Sequence, residues 1–202
     1  MKRFAKRSLV IVLGRQVRRL RKRNSFKIVA VAGSVGKTST KLAIAKTLSQ
    51  NLKVCYQDGN YNDPISVPLI FFGRKMPNIY NPLAWLIIIL KNEAAIYGKY
   101  PYDVVVVELG TDVPGTIKIF KKYLIADICV LTAIAPEHME YFANIDAVAE
   151  EEIAVASYSK QLIISKDMCD AKYISQLNTS AQTYAVTSGA DYQIVNARFS
   201  VD

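Results

Sequence analysis

Residues 33–39, Gly-Ser-Val-Gly-Lys-Thr-Ser, have the types and spacing to hold a phosphate chain. Two glycines let backbone N–H groups turn toward an anion without a Cβ in the way. A helix opening at Lys37 adds its unpaired N–H groups and the positive end of its dipole. Lys37 can reach β- and γ-phosphate oxygens, and the Thr38 hydroxyl suits Mg²⁺. Gly33, Ser34, Val35, Gly36, Lys37, Thr38 and Ser39 are therefore the expected cradle, with ATP and Mg²⁺ as the expected ligands. Val31 stands where the full G-x-x-x-x-G-K-[ST] pattern has its first glycine. An accidental turn is the alternative, and the flanks argue against it. The loop follows an apolar, β-branched run and precedes a helical one.

Four further residues carry candidate chemistry. Glu108 closes the run Val104–Val107, at the carboxyl end of a buried strand, where open α/β sheets bind ligands. It is the expected Mg²⁺ carboxylate, the alternative being a solvated strand end. His138, the chain's single histidine, follows another buried strand and lies between Glu137 and Glu140. It is a candidate for a second metal site or its support, against an ordinary structural histidine. Asn60 and Asn62, beside Gly59, could position an acyl substrate or a γ-phosphate, or simply form a turn.

The elements that would position these residues alternate. Strands are expected over 26–32, 53–56, 104–107, 126–131 and 161–165, with two short ones at 183–186 and 192–195. Helices are expected over 37–50, 115–123, 145–159 and 168–177. This rhythm predicts an α/β fold of the P-loop NTPase type: a mostly parallel sheet with helices on both faces. A further helix over 81–97 interrupts it. Its 85–90 stretch is apolar nearly all round and should be buried, should meet a partner subunit, or should face a membrane.

Charge divides the chain. Residues 1–57 hold 15 Lys and Arg and no Asp or Glu, while the remainder is net acidic, so the formal +9 belongs to one end. Residues 1–25 read as a basic amphipathic helix set before a domain over 26–202. That helix could lie on an anionic membrane surface, or pack on its own domain or a partner. Nucleic acid is not an expected partner, because no recognition pattern accompanies the charge and the acidic remainder would repel phosphate. No apolar run approaches the ~20 residues of a membrane span. No small-residue cleavage site follows the first apolar stretch, which disfavours a secretory signal. Cys55, Cys129 and Cys169 have neither disulfide nor zinc spacing and should be reduced and buried.

Four stretches in order resemble the ATP-dependent Mur ligase family: AGSVGKTST at 32–40, GNYNDPISVPL at 59–69, VVELGTDVPGTI at 106–117 and TAIAPEHMEYF at 132–142. The second is similar to Gly-Asn-x-Asn-Asn-x-x-Gly-x-Pro, and the fourth to Thr-Asn-Ile-Gly-x-x-His-Leu-Glu-x-Phe. The ELG segment most resembles the D-alanyl-D-alanine-adding subfamily. The resemblance spans residues 26–160 and implies the family's central ATP-binding domain and a cytosolic amide ligase. That enzyme would join an amino acid or dipeptide to a UDP-muramoyl-peptide through an acyl phosphate. It also implies Glu108 and His138 as magnesium ligands. The family's carbamylated lysine aligns with Glu152, whose carboxylate is expected to replace the carbamate, with Glu150 or Glu151 as neighbouring registers. Ser66, Ala133 and Ala135 stand where the family has Gly, Asn and Gly. The family's N-terminal and C-terminal domains have no counterpart in 202 residues, so a fragment is expected. A membrane-associated P-loop ATPase or switch, peripheral at the inner membrane face and making no amide, is the competing reading.

Overall fold

The computed structural model describes residues 2–59, 61–177 and 181–195. Asn60 lies outside the described residues, and nothing follows about its role. Seven strands form one parallel sheet: β1 (Lys27–Ala32), β2 (Val54–Cys55), β3 (Val104–Glu108), β4 (Ile128–Leu131), β5 (Leu162–Ser165), β6 (Ala181–Ala185) and β7 (Tyr192–Gln193). Their order is β2-β3-β1-β4-β5-β6-β7. Each pairing is parallel, so the sheet has no antiparallel edge among the described residues. β1 and β3 carry almost unbroken Val, Ile and Ala because both sheet faces are covered, which is what a central parallel strand requires.

Helices α1 (Lys2–Arg23), α2 (Lys37–Leu48), α3 (Ser66–Ile70), α4 (Pro82–Tyr97), α5 (Thr116–Phe120), α6 (Ile145–Ile153) and α7 (Ala171–Ile174) make the crossovers and flanks. α4 begins as its sequence dictates: the Asn81 side chain accepts the Ala84 N–H at 3.0 Å, and Pro82 fills the first turn. α6 starts the same way, on Asn144. The helix expected over 145–159 changes at Ala154 into a 3₁₀ turn ending at Tyr158. α3 is an addition to the expected elements. Its five residues are too few to show a helical period, and Pro68 sits inside them.

α1 is not a free appendage. Val17 and Leu20 are fully buried in the main core with Ile28 and Phe120. Leu13 packs with Ile65, Leu69 and Trp85. Residue 25 thus separates two elements in sequence, not two bodies in space. The apolar face that would lay α1 on a membrane is occupied by its own domain. The 85–90 stretch of α4 is apolar nearly all round in sequence, but the helix is only half covered: Trp85, Asn92 and Ile96 are buried, while Leu83, Leu86, Ile87 and Leu90 face outward. Among the described residues, no helix is long and apolar enough to cross a membrane. All three cysteines are free and buried, and burial raises their thiols to between about 11 and about 12, which leaves them inert.

Candidate nucleotide site

β1 is flanked by β3 on one side and β4 on the other, while the chain leaves it toward β2 and leaves β4 toward β5. The crevice at their carboxyl ends is the sheet's switch point, where α/β folds bind ligands. Residues 33–36 turn there and α2 opens at Lys37. Val31 lies inside β1, opposite Glu108, so this loop turns only at Gly33 and needs no glycine earlier. Gly33 has φ +119°, and a Cβ on it would come 2.5 Å from Thr132 Oγ1 and 2.8 Å from Ala133 N. Gly36 has φ +83° with open space around it, so there the requirement is conformation alone.

The segment after β4 braces this loop mainly through main-chain atoms. Ser34 N–H donates to Ala133 O at 2.9 Å, and Ala135 N–H donates to Ser34 Oγ at 3.0 Å. Thr132 Oγ1 lies 2.6 Å from Val35 O and donates to it. Ala133 and Ala135, the departures from the family pattern, thus contribute through backbone groups.

Lys37 folds back over the loop. Its Nζ donates to Gly33 O, to Ser34 O at 3.1 Å, and pairs with Glu137 at 3.5 Å. Thr38 Oγ1 donates to Glu108 Oε2 at 2.9 Å, joining the start of α2 to the end of β3. Asn62 Nδ2 reaches Glu108 Oε1 at 3.3 Å. Lys41, almost wholly buried one turn along α2, pairs with Glu108 at 3.1 Å and donates to Gly59 O at 2.8 Å. Ser34, Gly36, Lys37, Thr38, Ser39, Asn62 and Glu108 line one open polar cleft of about 380 Å³.

The acidic run of α6 resolves into three roles. Glu150 is on the surface near Lys118 at 3.6 Å. Glu151 accepts the N–H groups of Gly115 and Ile117, both at 2.7 Å, and so satisfies the start of α5. Glu152 is fully buried and accepts the Gly33 N–H at 2.8 Å. Burial pushes its carboxyl up to about 8, offset in part by Lys37 and the Gly33 N–H and reinforced by Glu137. Oε1 of Glu152 and Oε1 of Glu137 are each buried without a donor. A proton on the raised Glu152 carboxyl would supply one of the missing donors.

His138 is placed apart from these groups. It adopts φ +48° in the loop after β4, and its imidazole is 3.7 Å from Asp112 and 3.9 Å from Glu140. Asp112 follows β3, so the pair spans the mouth of the crevice, but no ion pair joins His138 to Glu108 or Glu152. Among the described residues, no three His, Cys, Asp or Glu side chains converge on one point. That donor set fits Mg²⁺ in one respect: the ion usually takes one or two protein oxygens and completes its shell with water and substrate phosphates. Thr38, Glu108 and the orphaned Glu152 oxygen are hard donors of that kind.

Sequence reasoning passed over Lys41, named Glu137 only as a neighbour of His138, and named Glu151 only as an alternative register for Glu152. Lys41 had a signal, since it lies three residues after Thr38 and so on the same helical face. Glu137 and Glu151 had none beyond belonging to acidic clusters.

The description Mur ligase middle domain matches residues 90–201, more than half of the chain. The chain belongs to the Mur ligase family. Curated relatives named UDP-N-acetylmuramoyl-tripeptide–D-alanyl-D-alanine ligase align with it. The one from Borreliella burgdorferi is 28% identical over 73% of this chain and 27% of the relative. That from Bacillus subtilis is 23% identical over 83% of this chain and 32% of the relative. The chain thus spans about a quarter to a third of these relatives. The MurF ligase of Thermotoga maritima, solved in complex with ADP, superposes with a TM-score of 0.67 at 22% identity, covering 90% of this chain and 38% of that one. A MurF crystal structure from Acinetobacter baumannii gives 0.69 at 19% identity, covering 90% and 36%. At these identities the superpositions establish a shared Mur ligase middle-domain fold.

Proposed function

We propose that this Mur ligase chain is the ATP-binding portion of an enzyme that forms an amide on a peptidoglycan precursor. By likeness to the named relatives, the enzyme would add D-alanyl-D-alanine to a UDP-muramoyl-tripeptide in the cytosol. The observation that carries the reading is the Thr38–Glu108 pair at 2.9 Å, which sets a helix-start hydroxyl beside a strand-end carboxylate in the phosphate-loop cleft.

In this reading the N–H groups of residues 33–39 and the dipole of α2 hold the ATP phosphates. Lys37 exchanges its carbonyl contacts for β- and γ-phosphate oxygens and offsets the charge on the transferring group. His138, turned toward Asp112, stands at the mouth of the crevice, while Thr38 and Glu108 would hold one Mg²⁺, with the orphaned Glu152 oxygen as a further hard donor. Bound there, magnesium would supply further positive charge to the phosphate oxygens. The precursor carboxylate attacks the γ-phosphorus, ADP leaves, and the acyl phosphate forms. The incoming amine then attacks the acyl carbon, inorganic phosphate leaves, and the amine loses a proton. Asn62, and by the same reasoning Asn60, would orient the acyl carboxylate or γ-phosphate.

The test is ATP turnover by the full-length protein with the two substrates supplied together and singly. ADP release that requires both UDP-muramoyl-tripeptide and D-alanyl-D-alanine is expected. Equal ATP turnover without an acceptor would replace the ligase with an ATPase.

A further inference from the structure

α1 and α4 run side by side in the same direction. Leu9 and Val10 pack near Trp85, Gln16 bonds Ile89 O and Glu93, both at 2.9 Å, and Arg19 reaches Tyr97 Oη at 2.9 Å. The pair presents one outward surface with two chemistries. On α4, Leu83, Leu86, Ile87 and Leu90 fall at helical spacing along one face and are 64%, 52%, 42% and 59% exposed. Such a stripe costs solubility unless something covers it. On α1, Arg15, Arg18, Arg19 and Lys22 line a shallow depression. The two meet at Tyr97, whose ring lies under the guanidinium groups of Arg19 and Arg23 at 5.7 and 4.6 Å. No acid accompanies these cations on α1, since residues 1–57 contain neither Asp nor Glu. Glu93 on α4 is already held by Arg19 at 2.7 Å.

We propose that this α1–α4 surface docks the protein on an anionic lipid bilayer. The leucine stripe of α4 enters the headgroup–acyl boundary, and the α1 cations pair with lipid phosphates beside it. This division of labour is how interfacial helices bind, with apolar area giving depth and basic residues giving preference for anionic lipid. It differs from docking by α1 alone, because the apolar face of α1 is spent on the core. A nucleic acid would use the cations and leave the leucines in water, and a neutral protein groove would use the leucines and leave the cations unmatched.

The test is flotation of the full-length protein with phosphatidylcholine vesicles and with equimolar phosphatidylcholine–phosphatidylglycerol vesicles. Binding to the anionic vesicles alone, weakened by salt, is expected. Triple variants Leu83→Gln/Leu86→Gln/Leu90→Gln and Arg15→Gln/Arg18→Gln/Lys22→Gln should each lower it about tenfold or more while leaving the circular dichroism unchanged. Because the native cysteines are buried, an environment-sensitive dye on Leu86→Cys reports depth selectively, and its emission should shift to the blue on anionic vesicles. Failure to float, full binding by the leucine variant, or an unshifted dye would overturn the proposal. So would a stable dimer or an RNA complex formed through this face without vesicle binding.

Discussion

Glu152 Oε2 accepts the Gly33 N–H at 2.8 Å, tying α6 to the first residue of the phosphate loop across 119 positions of sequence. The carboxyl is raised to about 8, mainly by burial, so the folded protein holds a proton there that the unfolded chain releases near its ordinary value of 4.5. Stability from this group is therefore fully present below the ordinary carboxylate range and is lost as pH rises through about 8. Glu152→Gln removes the titration and should flatten the fall in urea midpoint over that interval. An unchanged pH slope would show that Glu152 is ionised in the folded protein.

Gly33→Ala should cost about 2–4 kcal/mol, because a Cβ meets Thr132 and the Ala133 backbone at a φ that side chains avoid. Urea unfolding measures it. A loss under about 0.5 kcal/mol would mean the loop relaxes freely.

Lys41→Met should destabilise the fold by about 3–5 kcal/mol, since it removes the buried counter-ion of Glu108. Lys41→Met/Glu108→Gln should recover a large part of that loss. A double variant no more stable than the single would place the cost in packing of the lysine stem instead.

Within the acidic run, Glu151→Ala should cost about 1–3 kcal/mol by orphaning the Gly115 and Ile117 N–H groups. Glu150→Ala should fall within about 0.5 kcal/mol, because both it and its partner Lys118 are exposed. Equal losses would contradict the three-way assignment of the run.

The strand–turn–helix at residues 27–48 and the central strands were legible in the sequence because local pattern decides them. Val104–Val107 is apolar on both faces, and Gly-Lys-Thr follows a strand after a short turn. Glu152 was reachable only through the family resemblance. Three consecutive glutamates look alike in sequence, and the helix phase that sends Glu152 to Gly33, Glu151 to α5 and Glu150 to solvent depends on how α6 docks. Lys41 shares a helical face with Thr38, but its pairing with Glu108 needs β3 laid beside α2. α1 was read correctly as amphipathic, yet what its apolar face covers is a tertiary fact. The position of His138, turned toward Asp112, depends on a left-handed residue in a loop that no period announces.

The central claim is that residues 33–39 bind a nucleoside triphosphate with magnesium. Calorimetric titration of the protein with ATP and Mg²⁺ tests it most directly, comparing wild type with Lys37→Ala and Thr38→Ala. Binding that weakens about tenfold or more in each variant, and that needs magnesium in the wild type, is the predicted result. Wild-type protein that takes up no ATP, or a Lys37→Ala variant that binds it as tightly, would contradict the account.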